Sequence, residues 1–194
     1  MATIGLDKLY FADITDDAED GETYGTPKQL AEAISVELSV ESAEANLYAD
    51  DKVSESAREF SGGTITLNTN DIPAANAAKL LGATVDQNGV LVQTSEDGPK
   101  PVALGFRAKK ANGTYRYFWL YRVLFGPPST TLNTKGDSIE FQTPTIEGTI
   151  MARKKADSEG NHPWKAEVTE GDTGASTAIT KWYTSVYEPT YSAG

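Results

Sequence analysis

The chain of 194 residues carries 28 acidic against 17 basic side chains and a modest 39% apolar share, which allows one domain with a real core and sizeable polar loops. It has no cysteine, so disulfides, thiol catalysis and cysteine-ligated metals are excluded. No stretch is long and apolar enough for a bilayer-spanning helix.

The charge is unevenly placed. Residues 1–60 hold 15 acidic and 4 basic side chains, which accounts for the whole net charge of −11, while the remainder is balanced. An acidic surface repels nucleic-acid backbone, so a conventional nucleic-acid binder is not expected. Solubility alone is a sufficient reason for such a surface and stays open at this point. Met1-Ala2-Thr3-Ile4-Gly5 lacks the regions of a signal peptide, so a cytoplasmic, soluble product is expected.

In chain order, Ile4 to Ala12 reads as a first strand, followed by an acidic loop from Asp13 to Glu22. Ile34, Val36, Leu38 and Val40 then alternate with Ser35, Glu37, Ser39 and Glu41, which predicts a half-buried strand with the apolar set inward. Glu41 to Phe60 has few large apolar groups, and Gly62-Gly63 leads into another alternating strand, Thr64 to Asn68. The pattern predicts a long hairpin whose far half is disordered or stabilised by another chain. Asp71-Ile72-Pro73 opens a helix over about residues 72–81, and Gly82 closes it.

The second half is rich in strand signals. Asn88-Gly89 and Asn112-Gly113 mark hairpin turns. The latter joins Val102–Ala108 to the long aromatic run Tyr115–Phe125, which is expected to be the central strand. Further strands are expected at Ser138–Gln142, Thr145–Arg153 and Trp164–Val168, before a tail carrying Trp182, Tyr183, Val186 and Tyr187. There is no internal repeat and no domain linker.

Catalytic patterns are missing. His162, the one histidine, sits in a polar loop without triad or zinc partners in view. Asp16 to Gly21 superficially matches a calcium loop, but Ala18 takes a ligand position and Pro27 replaces the bidentate glutamate. Gly171-Asp172-Thr173-Gly174 lacks the Lys-Ser/Thr of a phosphate loop. Arg153-Lys154-Lys155 reads as a solvated basic run, and Tyr117, Trp119 and Tyr121 as packing aromatics. No catalytic, cofactor or metal residue is assigned, and no cofactor is expected.

Ile4 to Tyr10, Leu47-Tyr48-Ala49-Asp50-Asp51, Gly63 to Leu67, Gly105-Phe106-Arg107, Tyr117 to Tyr121 and Gly148-Thr149-Ile150, in this order and spacing, resemble the major tail proteins of long-tailed phages, of the phi13 type found in phages of Gram-positive bacteria. The resemblance covers nearly the whole chain. It implies a mainly-β sandwich or barrel with one flanking helix and a long protruding hairpin. It also implies hexameric rings that stack into a tube with an acidic lumen for DNA. The expected organisation is one tail-tube domain over 1–194 with a hairpin insertion at about 42–60. The expected partners are other copies of itself and tape-measure, tail-terminator and distal tail proteins, with DNA in transit, no specific binding and no membrane. The expected place is the virion tail, assembled in the host cytoplasm.

On this basis the polar faces of strands 33–41 and 61–69 are expected to face the lumen, with Glu37, Glu41 and Glu59 among the inward groups and edge-to-edge strand pairing between subunits. The hairpin is expected to dock on the next ring through Leu47, Tyr48 and Val53, with Asp50, Asp51 and Arg58 in polar contacts. A monomeric carbohydrate-binding β-sandwich is the alternative; it would show an exposed aromatic platform. An enzyme comes third for want of a catalytic constellation.

Overall fold

The computed structural model describes residues 2–18, 21–49, 52–132, 134 and 143–191, and of 45–49 and 52–57 the backbone only. The predicted strand Ser138–Gln142 lies outside the described residues. In chain order the elements are β1 (Thr3–Asp16), β2 (Thr23–Tyr24), β3 (Lys28–Ala31), β4 (Ala33–Ala49), β5 (Lys52–Thr69), α1 (Ala74–Leu81), β6 (Thr84–Val85), β7 (Leu91–Val92), β8 (Val102–Lys110), β9 (Tyr115–Phe125), β10 (Thr145–Met151), β11 (Lys165–Thr169) and α2 (Ala175–Lys181). The fold is thus mainly β, with a long hairpin, as expected. It has a second helix, α2, where one was expected, and β1 continues through the first four residues of the expected acidic loop.

Nine strands form one antiparallel sheet in the order β2-β1-β8-β9-β10-β5-β4, with β3 added on β1 and β11 on β9. The strands at opposite ends of this order share one core. Leu9 and Phe11 of β1, Leu104 of β8, Leu120, Val123 and Phe125 of β9, Ile146 and Ile150 of β10 and Ile65 and Leu67 of β5 form a single buried cluster, with Val36 and Leu38 of β4 packed against it. The sheet is therefore rolled around its own interior, while β1 and β4 are not hydrogen-bonded to each other. An open seam remains between them.

Helix α1 contributes Leu80 and Leu81 to this interior. It ends at Gly82, which is left-handed at φ 70°, and a Cβ there would come within 2.1 Å of the Gly98 carbonyl oxygen. Both constraints favour glycine.

The aromatic strand β9 serves two cores. Three residues of β8 (Val102 to Leu104) oppose four of β9 (Leu120 to Val123), so β9 carries a bulge there. Before the bulge Phe118 and Leu120 face the interior, and Tyr117, Trp119 and Tyr121 face outward. The outward set joins Ala12 and Ala103 in a second buried cluster under Trp182, Val186 and the aromatic rings of Tyr183 and Tyr187. The Trp119 indole N–H donates to the Trp182 carbonyl at 3.0 Å, and the Tyr121 hydroxyl to the Tyr187 carbonyl at 2.9 Å. The C-terminal segment thus covers the outer side of β8 and β9.

Two expectations are corrected. Ile34 and Val40, expected inward, are 55% and 47% exposed. They lie on edge strand β4 beside the open seam, where no further strand among the described residues covers them. The basic run is solvated only in part: Lys154 is exposed, but Arg153 is buried, donates to Glu188 at 2.8 Å and lies over the Tyr121 ring. Lys154 and Lys155 offer their backbone N–H groups to Glu22, which also accepts from Arg122 at 3.0 Å and is fully buried. Part of the expected acidic loop is therefore an anchor rather than a solvent-exposed excursion.

Candidate functional site

The register of β4, β5 and β10 builds one continuous polar face. Glu37 stands opposite Thr66, and Thr66 opposite Glu147. The neighbouring rows are Ser39–Thr64–Thr149 and Ser35–Asn68–Thr145. In the last, the Thr145 hydroxyl donates to Asn68 Oδ1 at 2.5 Å, and the Asn68 amide donates to the Ser35 hydroxyl at 2.8 Å. Residues directly opposed in an antiparallel pair share a face. Further along, Glu41 opposes Gly62, and after a bulge on β5 Ala43 opposes Glu59.

Glu37, Glu41 and Glu59 therefore lie on one face, all exposed, and Glu147 joins them as a fourth exposed carboxylate. No lysine or arginine occupies a position of this face in the rows above; serine, threonine, asparagine, alanine and glycine fill the rest. Glu37 and Glu147 are two strands apart, about 10 Å at the usual strand spacing. That exceeds the Debye length of about 8 Å at physiological salt, so the two exposed carboxylates are largely screened from each other and each adds its own local negative potential to the face. Glu147 escaped the sequence reading because β10 joins β5 from far along the chain. Its own strand alternates (Ile146, Ile150 inward; Glu147, Thr149 outward), which is the signal that could have found it.

The hairpin formed by β4 and β5 pairs from Ala33↔Thr69 to Ala49↔Lys52. Arg58 lies on its other face and donates to Glu44 at 2.6 Å, while the neighbouring Phe60 ring stacks on Trp164 at 4.5 Å between centroids. Arg58 is thus engaged within its own hairpin. Tyr48 opposes Val53 in the backbone register. The side chains of Leu47, Tyr48 and Val53, and Asp50 and Asp51 altogether, lie outside what the structure describes.

Among the described residues no group of three His, Asp or Glu stands together as a metal site. His162 is exposed, with Nδ1 3.2 Å from the Arg153 carbonyl. Trp119 and Trp182 are buried and Trp164 is stacked on Phe60, so among the described residues no tryptophan offers a flat exposed ring for a sugar.

Charge in the outer anchor is set by pairing. Arg122 donates to both oxygens of Asp17, at 2.5 and 3.1 Å. This guanidinium holds the Asp17 carboxyl down at about 2, against the smaller opposing effect of burial. Burial pushes the Tyr24, Tyr121 and Tyr183 hydroxyls well above the usual phenol range. These groups stay neutral and structural at any physiological pH.

A rolled antiparallel sheet with an anionic face and a long two-stranded arm makes this a mainly-β protein. The family model for the phage tail tube protein matches residues 33–174. The chain belongs to that family, and so is a structural component of a phage tail. No curated protein matches it. Among solved structures it is similar to the anti-feeding prophage cap (AFP tube terminating cap), determined by cryo-EM, at 9% identity and a TM-score of 0.40 over 88% of this chain and 93% of that one.

Proposed function

We propose that the chain is one tail-tube domain that forms hexameric rings, and that the rings stack into a hollow tube with the polar face of β4, β5 and β10 turned to the lumen. The observation that carries this reading is the composition of that face: Glu37, Glu41, Glu59 and Glu147 among hydroxyl and amide groups, without a cation. A lumen that must let DNA slide gains from weak repulsion, since each phosphate contact to a cation would hold the strand. Hydroxyl groups keep such a wall wetted without adding charge. The free edge of β4 beyond Leu38 provides the lateral contact, which also removes an exposed edge. The hairpin runs along the tube axis to the next ring. Family membership supports assembly with itself and with other tail proteins; tape-measure, terminator and distal tail proteins are the expected partners, in the virion tail, after assembly in the host cytoplasm.

The test replaces Glu37, Glu41, Glu59 and Glu147 together by lysine and compares tubes by electron microscopy and by retention of double-stranded DNA. Parent tubes are expected to release DNA at physiological salt, and the lysine tubes to retain it until salt is raised. Lysine tubes that release DNA as readily as the parent place these residues outside the lumen.

A further inference from the structure

The β4–β5 hairpin leaves the sheet at a defined point. Strand β10 pairs with β5 from Thr145↔Asn68 to Ile150↔Gly63, and beyond Gly63 the described part of β5 pairs with β4 alone. The next pairs, Glu41↔Gly62 and Ser42↔Phe60, leave Ser61 unopposed, so β5 carries a bulge where its third strand stops. A bulge bends the strand that holds it, and a two-stranded ribbon is only marginally stable on its own. Strand β9 pairs with β10 as far as Met151↔Arg122 and then with β11 from Lys165↔Leu120 to Thr169↔Arg116. β11 thus prolongs the line of β10 along β9, yet among the described residues it makes no pairing with β5. The sheet forks at this point. One branch is β11, fixed to β9; the other is the two-stranded arm.

Phe60 and Trp164 meet in the fork. Phe60 is the first paired residue of β5 on the arm's side of the bulge, and Trp164 immediately precedes β11. Their rings stack with centroids 4.5 Å apart and planes 2° from parallel. The barrel half of this pair is held in place: the Trp164 carbonyl accepts from the Tyr121 N–H at 3.1 Å, and the Lys165 ammonium lies 5.2 Å from the Trp164 ring centroid. Both rings are half-buried and pack against the main core. The Arg58–Glu44 pair, by contrast, joins the two strands of the arm to each other. We infer that the Ser61 bulge is a hinge and that the Phe60–Trp164 stack is the latch that sets the direction in which the arm leaves the barrel. Trp164 is thus a positioning residue for a segment to which it does not belong. A stacked aromatic pair gives roughly a two- to tenfold preference for the latched direction, enough to select it and weak enough to be released. From Phe60 to Lys52 the arm runs about 26 Å at the rise of an extended strand, so a turn of about 15° at the hinge moves its end by about 7 Å. The inference concerns the single chain and stands apart from the stacking reading.

The chain has no cysteine, so two engineered thiols can carry nitroxide labels without background. Asn46→Cys marks the arm and Lys181→Cys, exposed on α2, marks the barrel's outer layer. Pulsed electron paramagnetic resonance on the dilute full chain reads the distance distribution between them. One population is expected to dominate in the parent. Phe60→Ala and Trp164→Ala are each expected to add a displaced population, lowering the ratio of main to displaced roughly two- to tenfold. Trp164→Phe keeps a ring to stack and is expected to restore the parent distribution. Arg58→Ala, which removes a pair inside the arm, is expected to leave the distribution as it was. If alanine at 60 or 164 unfolds the chain, Phe60→Leu, which keeps the apolar bulk but not the stack, carries the same test. A parent in which no population dominates, stack-breaking variants with the parent's distribution, or an Arg58→Ala effect as large as that of Trp164→Ala each overturn the latch.

Discussion

Replacing Glu22 is the sharpest probe of the outer anchor. Its Oε1 accepts from Arg122 at 3.0 Å, and its Oε2 accepts from the backbone N–H groups of Lys154 at 2.5 Å and Lys155 at 3.3 Å, all out of contact with water. In Glu22→Gln the amide oxygen can still serve the two backbone donors, but the NH₂ group then faces a guanidinium that also only donates. One charge-assisted bond is lost, about 1.5–3 kcal/mol. Glu22→Ala leaves Arg122 without its buried partner and strands two backbone donors, for which about 3–5 kcal/mol is expected. Asp17, the other partner of Arg122, is about half exposed, and water can replace much of what it provides, so Asp17→Ala should cost about 1 kcal/mol or less. Urea unfolding at concentrations where the chain is monomeric measures all three from the midpoint at an unchanged slope. The reasoning fails if Glu22→Ala lies within about 0.5 kcal/mol of the parent, or if Asp17→Ala costs more than Glu22→Ala.

The pH dependence follows from Asp17, whose folded value near 2 lies below the ordinary aspartate value of 3.8. Its contribution is therefore fully present above about pH 4 and is lost as the pH falls through about 2, so the urea midpoints of the parent and Asp17→Asn should converge toward pH 2 and separate above pH 4. A constant separation would exclude the pairing with Arg122 as the cause. Gly105→Ala should destabilise by about 1–3 kcal/mol, because the new methyl group would stand 2.8 Å from the Trp119 ring; thermal unfolding checks it, and an unchanged melting temperature would show that Trp119 can move aside.

Much of the architecture was legible because it is local. The alternation at residues 33–41 and 64–68, the Asn-Gly turns at Gly89 and Gly113, and the Pro73 and Gly82 boundaries of α1 all act within a few residues. What was misread depends on neighbours far along the chain. Ile34 and Val40 obey the inward pattern, yet β1 does not close over them. Arg153 looked solvated because its partners, Tyr121 and Glu188, lie about thirty-five residues away on either side. Glu37, Glu41 and Glu59 were grouped from alternation, and the register places them on one face; Glu147 needed the pairing of β10 with β5. The second helix follows Gly174 without a capping side chain, so no residue announced it.

The bulge in β9 reverses the parity of that strand. Up to Tyr121, odd-numbered positions belong to the outer layer and even-numbered ones to the barrel interior; from Val123 onward the odd positions turn inward. A lesion at Trp119 therefore loosens the C-terminal covering, while one at Val123, of the same parity and four residues on, damages the barrel itself. Removing a single residue between Leu120 and Val123 would not merely shorten the strand. It would set the two layers in competition for the same side chains, so that one of them must lose its aromatic or aliphatic filling.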